Sequence, residues 1–91
     1  MYADYLGGGA MKLSSITSAQ RQRLLDHLEQ YNAITTIEAR ELYDIMSPAP
    51  RIMELKERGF NIVTIRINQD TDKGSHKRVA RYVLFSNGDK P

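Results

Sequence analysis

The chain contains no cysteine, so neither a disulfide framework nor any cysteine-ligated metal centre can form. Tryptophan is also absent and phenylalanine occurs only twice, which leaves the core to Ile, Leu, Val, Met and Tyr. No stretch approaches the roughly 18 consecutive apolar residues that a membrane-spanning helix needs. The N-terminus has no basic segment leading into an apolar signal stretch. The expectation is a cytoplasmic protein with no membrane partner. The two histidines, His27 and His76, lack the cysteine or carboxylate neighbours that a zinc site requires, and both are expected at exposed positions. Gly7-Gly8-Gly9 lacks the preceding strand and the Gly-Lys-Ser/Thr ending of a phosphate-cradling loop. No Ser-His-Asp or paired-carboxylate arrangement can be assembled from the motifs. The sequence therefore predicts no enzyme and no cofactor.

What is present suits one small globular domain. The 91 residues are 41% hydrophobic and 26% charged, enough for a single core but not for two. The formal net charge is only +2, yet it is unevenly distributed. Residues 1–46 carry 4 basic and 6 acidic side chains. Residues 47–81 carry 8 basic ones (Arg51, Lys56, Arg58, Arg66, Lys73, Lys77, Arg78, Arg81) against 4 acidic ones. The basic excess thus belongs to the second half, as in chains that touch a polyanion with one face.

Local signals divide the chain into a flexible leader at 1–12, a domain at 13–86 and a frayed tail at 87–91. Thr17 and Gln20 have capping-box spacing, with Ile16 as the staple residue, and predict a first helix over Ser18 to Tyr31. Leu24, Leu25, Leu28 and Tyr31 share its apolar stripe. Ile34 lies in a short extended stretch. Thr35 and Glu38 form a second capping box, opening a helix over Thr36 to Tyr43 with Ala39, Leu42 and Tyr43 on its buried face. Ser47-Pro48 reads as a cap followed by proline in the first helical position, and Gly59 as the left-handed stop of a third helix over Ser47 to Arg58. Ile52 and Leu55 face inward, with Ser47, Pro50, Arg51, Glu54, Glu57 and Arg58 opposite or flanking them. From Phe60 to Ile67 the period shifts to two, with Val63, Ile65 and Ile67 on one side of a strand. A second strand runs from Val79 to Phe85. The turn-rich residues Asn68 to Lys77 predict a long loop between them.

Three helices followed by a β-hairpin wing is the α+β plan of a winged helix-turn-helix. The stretches Ile34-Thr35-Thr36-Ile37-Glu38-Ala39 and Ile45-Met46-Ser47-Pro48-Ala49-Pro50-Arg51-Ile52-Met53-Glu54-Leu55-Lys56-Glu57-Arg58-Gly59-Phe60-Asn61-Ile62 resemble the small helix-turn-helix domains common in phages and prophages. The resemblance spans about Ser18 to Leu84 and rests most specifically on Arg51-Ile52, Leu55, Arg58-Gly59 and Ile62. It implies a winged-helix fold and binding to double-stranded DNA. On that reading the third helix enters the major groove with Ser47, Pro50, Arg51, Glu54 and Arg58. The wing then reaches the phosphates with Lys73, His76, Lys77 and Arg78 at its tip and Arg66 and Arg81 on its strands. A transcription-regulating or accessory role is expected, with a homodimer as one way to lengthen a short footprint.

Each assignment has a plainer counterpart. Arg51 could donate a pair of hydrogen bonds to guanine, or it could be structural and pair with Glu38 or Glu41. Glu54 and Glu57 could accept from a cytosine amino group or lie on a solvated surface. The basic wing tip could be only a solvated loop. Finally, the same fold can serve as a protein-docking or dimerisation module without DNA, a use that Glu54 and Glu57 beside Met53 would suit.

Overall fold

The computed structural model describes the backbone of residues 9–85 and the side chains of residues 15–85. Most of the expected leader and tail therefore lie outside the described residues. The elements run in the expected order: α1 (Gly9–Tyr31), β1 (Ala33–Thr35), α2 (Thr36–Tyr43), α3 (Ala49–Glu57), β2 (Asn61–Thr71) and β3 (Gly74–Phe85). The three strands form one antiparallel sheet in the order β1-β3-β2. The short extended stretch around Ile34 is thus a strand that closes the wing onto the helices.

The first helix begins at Gly9 rather than Ser18 and passes through Thr17 without a break. No Gly or Pro interrupts residues 10–31, and a capping-box pattern does not start a helix where good helix formers already precede it. The second capping box is real. Thr35 Oγ1 accepts from the Glu38 amide at 3.0 Å, and Glu38 Oε1 accepts from the Thr35 amide at 2.9 Å.

The third helix starts one turn-position later than expected. Pro48 is its N-cap, no side chain caps it, and Pro50 lies within its first turn. Ser47 stays outside, since Pro48 already holds a helical backbone conformation (φ −74°, ψ −21°) that its ring favours. At the other end, Gly59 takes φ +101°, its amide donates to Lys56 O at 3.0 Å and the Phe60 amide reaches back to Leu55 O at 3.1 Å. This paired arrangement satisfies orphan carbonyls and turns the chain into β2.

The core joins Leu24 and Leu28 of α1, Ile34 of β1, Ala39 of α2, Ile45, Ile52 and Leu55 around α3, and Ile62, Ala80 and Tyr82 of the sheet. Leu25, Tyr43, Phe60 and Leu84 pack at its margin. Two expected core residues are instead exposed: Tyr31 and Leu42, each 60% accessible. They occupy the end of α1 and the outer flank of α2, at the mouth of a hollow they share with Ile67, Gln69 and Arg81 of the sheet. His27, expected at the surface, is buried. It shares a 2.7 Å hydrogen bond between Nδ1 and the Tyr43 hydroxyl, and its ring packs against Tyr31 and Tyr43 at centroid separations of 4.6 and 5.5 Å. A polar ring at the margin of a core is tolerated when its nitrogen is satisfied in this way.

The wing departs most from expectation. The predicted loop at 68–77 is nearly all strand, and only Asp72 and Lys73 form the turn. Gly74 accepts φ +125° just after it, a conformation that residues bearing a Cβ avoid. Polar residues misled the sequence reading because this part of the hairpin projects past the core, leaving no buried face to impose apolar alternation.

Candidate nucleic-acid interface

The sheet register sorts the basic side chains onto different faces. Arg66 is opposite Ala80, whereas Arg81 is opposite Ile65 of β2 and Thr35 of β1. Ala80 is buried on the core side of the sheet, so Arg66 points toward the helix side and Arg81 toward the reverse. Between Ile67↔Val79 and Gln69↔His76 the register slips by one residue. Lys77 and Arg78 bulge there against Asn68, with Arg78 at φ +57°. The Arg78 amide donates to Asn68 Oδ1 at 3.3 Å, and Arg66 Nη1 donates to the Arg78 carbonyl at 3.5 Å. A bulge of this kind bends a strand and re-aims the side chains beside it.

The outcome is a cleft of about 460 Å³ between α2 and the wing, lined by Thr36, Ile37 and Arg40 on one wall and Arg66, His76, Lys77 and Arg78 on the other. Arg66, His76, Lys77 and Arg78, expected on the wing, are therefore brought together. Lys73 stays exposed at the turn and does not line the cleft. Arg81 lines a separate hollow on the other side, with Tyr31, Leu42, Ile67 and Gln69. His76 Nε2 lies 3.1 Å from Thr71 Oγ1. Arg40, which sequence reasoning did not single out, lines the cleft and donates from Nε to the Met46 carbonyl at 3.0 Å. It ties the cleft to the turn that leads into α3.

Around α3 the expected outer face splits in two. Arg51 and Glu54 are drawn to the α1 side. Arg51 donates from Nε to Glu54 Oε1 at 2.9 Å and from Nη2 to Oε2 at 2.8 Å. Arg21 of α1 donates from Nη1 to the same Oε1 at 2.6 Å. The pairing of Arg51 with Glu38 or Glu41 is corrected accordingly: Glu38 is committed to its capping box, and Glu54 is one turn away on the same helix. Glu54 keeps part of its surface in solvent but is paired with two arginines. Hydrogen bonds from Arg51 and then Arg21, with their positive charge, hold it below its ordinary pKa of 4.5 against a smaller opposing effect of desolvation.

The truly exposed face of α3 consists of Ala49, Pro50, Met53, Lys56 and Glu57, with Met53 57% accessible. At about 100° per residue these positions form one stripe opposite Ile52 and Leu55. Ser47 is exposed just ahead of the helix. Arg58 is its C-cap and lines a shallow hollow with Arg21, Leu25 and Phe60. From the sequence, Met53 enters only with the docking alternative and Lys56 only among the basic residues, although the same helical spacing that placed Pro50 outward puts both on this stripe.

Among the described residues no group of His, Asp and Glu is placed to hold a metal ion, and no helix is long and apolar enough to cross a membrane. Comparison with known proteins adds one positive finding: a family model described as a winged helix-turn-helix domain matches residues 19–87. No curated protein and no solved structure matches the chain. Three helices, a β-hairpin wing and a match across most of the sequence agree, and the chain belongs to the winged helix-turn-helix domain family.

Proposed function

We propose that this protein binds double-stranded DNA, with α3 in the major groove and the α2–wing cleft on the phosphate backbone. One observation carries the reading: Arg40 of α2, Arg66 of β2 and Lys77 and Arg78 of β3, with His76, converge on a single cleft from three elements. Cations gathered in this way repel one another, and an anion placed between them offsets that repulsion. Lys73 stands exposed at the wing tip as a further cation for the phosphates. Pro50, Met53 and Lys56 of α3, with Ser47 just ahead of it, are the side chains offered to the groove. Arg51 and Glu54 hold α3 against α1 instead of reading bases, and Arg81 belongs to the reverse side of the sheet. A regulatory or accessory role for a cytoplasmic, non-enzymatic protein fits this reading, and the resemblance to phage domains supports a phage origin.

A second reading, docking of another protein or a second copy, is favoured by the reverse face of the sheet. Val63, Ile65 and Ile67 of β2 lie opposite Val83, Arg81 and Val79 of β3 there, and Ile65, Tyr31 and Leu42 are all exposed. Dimerisation through that face is compatible with DNA binding, since the cleft lies on the opposite side. Titration of a random-sequence duplex across a range of salt concentrations decides between the readings. A DNA binder loses affinity steeply with salt as counterions compete. An exclusive docking module leaves the duplex unbound even at low salt.

A further inference from the structure

The third helix has an unusual end-on chemistry for a groove reader. Its stripe toward solvent is Ala49, Pro50, Met53, Lys56 and Glu57, with an apolar centre and no guanidinium. Of the two that flank it along the chain, Arg58 caps the helix and lines the hollow with Arg21, Leu25 and Phe60, and Arg51 has Nε and Nη2 engaged by both carboxylate oxygens of Glu54, while Arg21 of α1 also holds that carboxylate. Freeing Arg51 would leave Glu54 facing bases without one of its two cationic partners. The fork that would recognise guanine O6 and N7 is thus already occupied within the protein.

Met53 is 57% accessible although nothing in the core requires its thioether to be outside. An exposed, flexible apolar side chain in the middle of a groove-facing stripe matches one feature of the major groove, the C5-methyl group of thymine. Ala49 and Pro50, at the N-terminal end nearest the bases, add apolar surface of the same kind. Arg40 lines the basic cleft and donates to the Met46 carbonyl three residues ahead of α3, so the cleft is tied to the turn that leads into this helix. On the DNA-binding reading this apolar face is the part of α3 that meets base edges while the cleft holds phosphates.

We propose that Met53, with Ala49 and Pro50, is the specificity-determining surface of this protein, and that it reads thymine methyl groups instead of hydrogen-bonding to guanine. This rests on the DNA-binding reading above. The test begins with sites selected from a random duplex pool by the full chain, which should be rich in thymine at the centre of the footprint. Replacing those thymines with deoxyuridine removes only the methyl groups. Affinity should fall about fourfold for each contacted methyl, the equivalent of one buried methylene, with the salt dependence unchanged. In the Met53→Ala variant the thymine preference should shrink toward none while the melting temperature and salt dependence match the parent.

Equal binding of the thymine and uracil duplexes, with a steep salt dependence retained, overturns the methyl-reading proposal and leaves DNA binding standing. So does a selected site dominated by guanine whose preference is lost in Arg51→Ala. A uracil penalty that persists undiminished in Met53→Ala overturns the role of Met53. No duplex binding at low salt overturns the DNA-binding reading itself.

Discussion

Leu28 is fully buried in the cluster that joins α1 to α3 and the sheet, and its truncation to alanine tests whether that cluster holds the domain together. Removing three carbons forfeits about 2.4 kcal/mol at roughly 0.8 kcal/mol per methylene. The void adds to this, because helices fixed to a sheet collapse only partly, and about 2–5 kcal/mol spans the expected cost. A domain of this length has a total stability of roughly 5–14 kcal/mol, so the variant should remain folded at room temperature but melt much earlier. At about 4–8 °C per kcal/mol, the midpoint should fall by at least about 8 °C. Urea denaturation followed by circular dichroism gives the value directly, with the midpoint shifted and the m-value unchanged. Leu42→Ala is the control, since that leucine is 60% accessible and its loss should cost under about 0.5 kcal/mol. Similar losses at the two positions, or a loss below about 0.5 kcal/mol at Leu28, would refute the packing described here.

Three further outcomes follow from local geometry. Gly59→Ala should lose about 1–2 kcal/mol in thermal denaturation, because φ +101° is strained for any residue with a Cβ although the added carbon itself would meet nothing within 4 Å; an unchanged melting temperature would show that the chain leaves α3 by another route. Thr35→Ala should cost about 0.5–2 kcal/mol through loss of the α2 capping box, measured by the same melts, and Thr35→Ser should recover most of it. The Glu54 carboxylate is held below its ordinary pKa of 4.5 by Arg51 and Arg21. Its stabilising contribution is therefore complete above that ordinary value and is lost as pH falls through the lowered one; melting temperatures taken from about pH 6 to about pH 3 should drop less steeply in Glu54→Gln than in the parent, and identical profiles would refute the clamp.

Much of the fold is legible in the sequence because each boundary has its own chemistry. Thr35 with Glu38, Gly59 and the change to period two at Phe60 all act over a few residues, and the structure bears them out. The missed features depend on tertiary context. Nothing local reveals that the wing continues as paired strand to Thr71 and from Gly74, since both of its faces are solvated. The bulge at Arg78 occupies a positive φ without a glycine to signal it. The site was readable as a set of basic residues but not as a sorted one. Strand register sends Arg66 and Arg81 to opposite faces, and the contact from Arg21, more than thirty positions away in the chain, is what draws Arg51 and Glu54 off the outer face of α3. Arg40 joins the cleft only because α2 folds against the wing.

The central claim is that the cations of the α2–wing cleft grip DNA phosphates. It is tested most directly by measuring the affinity of the parent and of the Arg66→Ala, Lys77→Ala, Arg78→Ala triple variant for one random-sequence duplex over a series of salt concentrations. Each lost phosphate contact removes about 0.9 from the slope of log affinity against log salt, so the triple variant should have a slope shallower by about 2.7 and bind more weakly at low salt, while its melting temperature stays close to the parent's. Equal affinities and equal slopes at every salt concentration would contradict the account.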